Sequence, residues 1–140
     1  MTALKGLRVV DLSRYAPGPY CTMLLADLGA DVIVIEEVPG TGRRVDTEMG
    51  GSERTKTFLP MGRNKRSVAL DLKNARMREV FFRLVDSADV VVEGFRPGVA
   101  ARLGVDWPAV NRRNPRAIYC SISGYGQTGP YADLVGHDLN

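Results

Sequence analysis

The chain of 140 residues, 44% hydrophobic and 25% charged, suits a single soluble globular domain with enough sequence to bury a real core. It contains no run of roughly eighteen apolar residues, which excludes a transmembrane helix. Its N-terminus lacks the separate apolar region and small-residue cleavage site of an export signal, so the expected location is cytoplasmic. The net charge of +3 is concentrated between Arg43 and Arg78, where ten basic residues stand against Asp46, Glu48, Glu53 and Asp71. Such a patch suits an anionic partner: nucleic acid, a phosphorylated cofactor or a membrane surface. With only Phe58 interleaved, it makes a poor stacking platform for single strands. Cys21 and Cys120 lie far apart in sequence and form no C-x-x-C, which reads as two buried thiols in a reducing compartment.

Val9, Val10 and Leu12 form an apolar run of the length a buried strand needs, ended by Ser13 and the turn Ala16-Pro17-Gly18-Pro19. Both prolines preset φ for a turn or a first helical position. Met23, Leu24, Leu25 and Leu28 supply the apolar face of a helix, with Gly29 where a C′ glycine belongs. Val32 to Ile35 is a second strand. Two apolar strands joined through one helix of about ten residues make a right-handed βαβ unit and hence a parallel pairing. Ligands of such sheets bind at the carboxyl ends of the strands, so the Ala16–Pro19 turn is the first candidate site.

Pro39 to Gly62 is charged, rich in Gly and Pro, and long enough to be a functional or mobile loop. A strand follows from Asn64, with Val68, Leu70 and Leu72 alternating. Asn74 or Asp71 can cap the next helix, Ala75 to Asp86, whose Val80, Phe81, Leu84 and Val85 form an apolar stripe. Ala88 to Glu93 is a buried strand ended by Gly94-Phe95-Arg96-Pro97-Gly98. A short helix from Val99 to Leu103 stops at Gly104, and another begins at Trp107 with Pro108 at N1 and closes at Asn114-Pro115. Ala117 to Ser123 is the last strand. The order β-α-β-β-α-β-α-α-β predicts an α/β domain with helices on a mostly parallel sheet.

Gly124, Gly126 and Gly129 spell G-x-G-x-x-G directly after a strand, but Pro130 follows at once and no helix pattern comes next. A glycine-rich turn therefore fits better than a dinucleotide fingerprint. Arg63, Lys65, Arg66 and Lys73 flank a strand and fit either a solvated charged surface or a phosphate contact, as do Arg96 and Arg102. His137, the one histidine, follows Gly136 and precedes Asp138. It fits a structural or exposed residue as well as a general base. No metal-ligand cluster or Gly-x-Ser-x-Gly elbow is present.

Taken together, Ala16-Pro-Gly-Pro, Gly29-Ala-Asp-Val-Ile-Val-Ile-Glu36, Asn64-Lys-Arg-Ser-Val-Ala-Leu-Asp-Leu-Lys73, Asp89-Val-Val-Val-Glu-Gly-Phe-Arg-Pro-Gly98, Asn114-Pro-Arg and Ser123-Gly-Tyr-Gly-Gln-Thr-Gly-Pro130 resemble the family III (CaiB/BaiF-like) CoA-transferases. Gly136-His-Asp-Leu-Asn140 is similar to a motif of their α-methylacyl-CoA racemase branch. The resemblance implies that residues 1–140 form the N-terminal part of a Rossmann-like CoA-binding domain. The remainder of that domain and a smaller second domain would lie outside this fragment, which alone would lack turnover. It further implies a homodimer with interlocked subunits, acyl-CoA as substrate, and no metal, nucleic acid or membrane partner.

The resemblance also assigns residues. Coenzyme A would lie against Ala16 and Pro17, against Leu70, Asp71, Leu72, Lys73 and Asn74, and against Gly94, Phe95 and Arg96. Arg102 matches a phosphate-contacting arginine. Gly136 and Asp138 flank His137, the catalytic base of the racemase motif. Val38 stands where the family commonly has an arginine or other polar residue, with Arg43 or Arg44 as replacements. Two chemistries are implied. A racemase moves the proton α to the thioester; a CoA-transferase uses an aspartate nucleophile that would lie beyond Asn140. A non-catalytic CoA-binding module is the third alternative.

Overall fold

Strand β1 (Arg8–Asp11) is the middle of the sheet, and its Val9 and Val10 are both fully buried, one on each face. The fold is that of a computed structural model, which describes residues 2–38 and 59–136. From β1 the chain passes through α1 (Pro17–Asp27) to β2 (Asp31–Glu36). A 3-10 turn (Leu59–Gly62) precedes β3 (Lys65–Ala69). Then come α2 (Ala75–Val85), β4 (Val90–Glu93), α3 (Val99–Leu103), α4 (Trp107–Arg113) and β5 (Ile118–Ser121). The five strands lie in the order β3-β2-β1-β4-β5, and every pairing is parallel. This is the doubly wound, Rossmann-like α/β arrangement expected from the sequence.

Two apolar layers hold it. On one face α1 brings Ala26 against Val9, Val32 and Val92; on the other, Phe81 and Val85 of α2 and Val110 of α4 cover Val10, Ile35 and Val91. The helix ends follow local chemistry. Gly29, at φ +99°, closes α1 with Gly29 N–H donating to Ala26 C=O and Ala30 N–H to Leu25 C=O, the paired bonds of a Schellman cap. Asn74 caps α2 by accepting from the backbone N–H of Arg76 and Met77 at 2.9 and 3.3 Å. The Asn114 side chain donates to the carbonyls of Val85 and Ala88, both at 2.9 Å, locking the end of α4 to the end of α2.

Four expectations need correction. Cys21 and Cys120 are both free and only partly buried. Leu24 and Leu28 are 43% and 49% exposed, and α1 instead buries Gly18, Thr22, Met23 and Ala26. Val80, at 40%, leaves the stripe on α2 to Phe81 and Val85. Helix α4 starts one residue earlier than Pro108 requires for N1, because the Asp106 carboxylate accepts from Ala109 N–H at 3.2 Å and caps it. Both β5 and the glycine-rich turn after it are as expected: no helix follows Gly124–Gly129 among the described residues.

At the amino edge of the sheet Asp31 joins three strands, taking Arg8 Nε at 2.8 Å and Arg66 Nη2 at 2.6 Å. Partial burial raises its pKa, but the Arg66 and Arg8 guanidiniums outweigh this and hold it below the ordinary 3.8. A depressed carboxyl contributes stability above its unfolded pKa and loses it as pH falls through the folded value. Asp31→Asn should therefore cost roughly 0.2–1 kcal/mol at neutral pH, given that Asp31 is a third exposed. The urea midpoints of variant and parent should converge as the pH drops below 3.8.

Candidate functional site at the switch point of the sheet

In the order β3-β2-β1-β4-β5 the chain runs outward from β1 on one side and from β4 on the other. The connections after β1 and β4 therefore leave on opposite faces, and a crevice opens between their carboxyl ends. Asp11, 1% exposed, ends β1; its Oδ1 accepts Ser13 N–H at 2.9 Å and turns the chain. Glu93, 2% exposed, does the same for β4, with Oε2 accepting Phe95 N–H at 2.7 Å. The two turns touch, since a Cβ on Gly94 would lie 3.5 Å from that of Ser13. Arg14 places its guanidinium 5.8 Å from the centre of the Phe95 ring and pairs with Glu37 just after β2.

The segment after β3 lies at the same edge of the sheet, beyond the end of β2, where Leu70 N–H donates to Glu36 C=O at 2.9 Å. Leu70 and Leu72 point into the core at 7% and 6% exposure, so a ligand at this segment meets their backbone rather than their side chains. Asp71 Oδ1 accepts Lys73 N–H at 3.0 Å, leaving the Lys73 ammonium exposed, while Asn74 is engaged as the cap of α2. Leu72 C=O accepts from Arg78 at 3.2 Å, and the Arg78 side chain lies 3.6 Å from the Cβ position of Gly104. Arg78 thus ties this segment to α3. Beside it, Arg78, Phe82, Arg102, Gly104, Arg112 and Arg113 line a cleft of about 530 Å³. Arg113 is held by Asp86 at 2.7 Å, whereas Arg102 is exposed on α3.

The predicted residues thus fall at one edge of the sheet: Ala16 and Pro17 in the β1–α1 turn, Leu70 to Asn74 after β3, and Gly94 to Arg96 after β4. Gly136 returns to this edge, packed so closely on Gly124 that a Cβ on the latter would stand 2.8 Å from the Gly136 Cα. Beside Gly124, Ser123 Oγ is the one buried side-chain polar atom without a partner among the described residues. His137 and Asp138, and the replacements Arg43 and Arg44 for the family's arginine at Val38, lie outside the described residues.

Two cations of the basic patch do not serve here. Arg63 is bound to Asp27 at 3.0 Å and Arg66 to Asp31, both away from the carboxyl edge. Arg14, Glu37 and Arg78 were missed by sequence reasoning. Only the strand order reveals that Arg14 faces Phe95 and that Arg78 spans two loops.

Residues 4–140 match the family model described as CoA-transferase family III. An acyl-CoA transferase of Fusarium pseudograminearum is 41% identical over 97% of this chain and 32% of its own length. The α-methylacyl-CoA racemase of Homo sapiens is 43% identical over 99% of this chain and 32% of its own length. A crystal structure of a CaiB/BaiF family protein from Brucella suis superposes with a TM-score of 0.83 at 40% identity, covering 98% of this chain and 37% of that one. The chain spans about a third of the length of these relatives.

Proposed function

The chain belongs to CoA-transferase family III, and from that premise we propose that it holds the nucleotide and pantetheine of an acyl-CoA thioester while His137 moves the proton α to the thioester carbonyl. The observation that carries the first half is the crevice itself. At its rim the closely packed turns Ser13–Gly18 and Gly94–Arg96 offer backbone, the exposed Lys73 and Arg96 offer cations to phosphate, and the exposed Arg102 offers another from the cleft it lines with Arg78. Arg102 takes a phosphate by its guanidinium fork, and Lys73 acts as a point charge. Ala16, Pro17, Gly94 and Phe95 set the floor, and Leu70 to Asn74 lie farther along the same edge.

In the racemase-type reaction the neutral His137 imidazole takes the α-proton. The electron pair left on carbon spreads into the thioester carbonyl as an enolate, and an acid on the opposite face returns a proton to the carbon. Gly136, seated on Gly124, precedes His137 in sequence, and Asp138 follows it. The resemblance puts the second acid C-terminal to residue 140. A CoA-transferase is the second reading, favoured by relatives such as the succinate–glutarate CoA-transferase of Agrobacterium fabrum, 40% identical over 96% of this chain. The same crevice would then hold CoA for an aspartate nucleophile.

In the full-length protein, His137→Ala should slow exchange of the α-hydrogen of a 2-methylacyl-CoA in D₂O by about a hundredfold or more. Mass spectrometry of the recovered thioester measures it. Absence of exchange in the parent protein, together with CoA transfer to a free carboxylate, would replace the racemase by the transferase. Calorimetric titration with CoA tests the site separately. Arg102→Ala should weaken binding about tenfold, as loss of a charge-assisted contact does.

A further inference from the structure

Beneath the β1–α1 turn lies a buried cation. Lys65 begins β3, two strands away from β1, yet its side chain is 3% exposed. In the parallel register Lys65 is level with Val32 and Val9, which places its side chain on the face covered by α1. From there it runs under the helix to the carboxyl end of β1. Its Nζ donates to Pro19 C=O at 2.8 Å and to Thr22 Oγ1 at 2.7 Å, and lies 3.5 Å from Asp11 Oδ2. The three ammonium protons are thereby placed. Thr22, 0% exposed, donates its hydroxyl hydrogen bond to Asp11 Oδ2, while Asp11 Oδ1 accepts from both the N–H and the hydroxyl of Ser13.

An ion pair buried this deeply is an expensive way to fill space, and an apolar side chain of similar volume would fill it with less penalty. Burial pushes the Lys65 ammonium below its ordinary 10.5, against the pull of Asp11. What the pair supplies is geometry. It fixes both ends of one turn: Asp11 and Ser13 before it, Pro19 and Thr22 after it.

We propose that Lys65 is the positioning residue of this turn: its ammonium clamps the first turn of α1 onto Asp11 and so sets the path of Arg14 to Pro17 along the crevice. The inference rests on the reading that Ala16 and Pro17 meet CoA.

The test uses Asp11→Asn combined with Lys65→Met, which removes both charges and leaves no orphaned carboxylate, and separately Thr22→Val, which removes the relay hydroxyl and keeps both charges. Hydrogen–deuterium exchange by mass spectrometry reads the turn, and calorimetric titration with CoA reads the site. In protein whose β2 and β4 peptides stay as protected as the parent's, amides of residues 14–22 should exchange about tenfold faster, and CoA should bind about tenfold more weakly. Unchanged exchange in that turn, or equal loosening of every peptide in both variants, overturns the clamp. A loosened turn with undiminished CoA affinity overturns the positioning role. A loosened turn in a protein whose parent does not bind CoA at all leaves the clamp standing and removes the CoA reading instead.

Discussion

Phe81→Ala should lower the stability of the domain by about 3–5 kcal/mol, the range for deleting a buried phenyl ring. Phe81 is 0% exposed and the largest fully buried side chain among the described residues. It sits where α2 meets the central strands, in the cluster that also contains Val10, Leu12, Val91 and Val105. An edge contact with Phe82, at 5.2 Å between ring centres and 65° between planes, is lost with it. Elements on every side of the ring are pinned by the sheet, so the cavity collapses poorly. Single domains are stable by only about 5–15 kcal/mol, so the variant would approach the unfolding threshold. With a urea slope of about 1–3 kcal/mol/M, its midpoint should fall by roughly 1 M or more at unchanged slope. Val80→Ala, one position earlier and 40% exposed, should stay within about 0.5 kcal/mol. A Phe81 loss below 1 kcal/mol would mean that α2 does not close this face of the core.

The contrast between Phe81 and Val80 also shows what could be read from residues alone. Periodicity located α2, and Asn74 and Gly29 marked its start and the end of α1, because capping is local chemistry. Which side of a helix is buried is not local. Leu24 and Leu28 have the apolar side chains, but α1 turns Gly18, Thr22, Met23 and Ala26 inward, and at Gly18 the approach of Ser13 leaves no room for a side chain. Lys65 is the sharper case. With Val68, Leu70 and Leu72 set as the core-facing positions of the strand predicted from Asn64, alternation consigns Lys65 to the outer face. That face is covered at its first position by α1, a fact set by strand order and helix docking. The segments that the family resemblance assigns to CoA follow β1, β3 and β4, so all three lie at the carboxyl edge of the sheet. The resemblance carried no information on Arg14 or Arg78, whose partners, Phe95 and Leu72, are reached only through the fold.

Gly18→Ala should distort the turn that Lys65 holds, at a cost of about 1–3 kcal/mol or more in stability. A Cβ at Gly18 would stand 2.2 Å from Ser13 Cβ and 2.3 Å from Ser13 Oγ, distances no pair of side chains sustains. Rotating the serine hydroxyl does not help, because the nearer atom is the β-carbon and its position is fixed by the backbone. The backbone at Ser13 is in turn held by its N–H bond to Asp11, so relief requires the two limbs of the turn to part. Parting them strains the bond that Thr22 donates to Asp11. The decisive comparison is the double variant Ser13→Gly with Gly18→Ala. Removing the serine β-carbon opens the space that the alanine needs, so the double variant should regain about 0.5–3 kcal/mol relative to the sum of the two single changes. Urea denaturation of the four proteins measures this coupling. Strict additivity would show that the clash is absorbed elsewhere and that close contact between Ser13 and Gly18 does not set the path of Ala16 and Pro17.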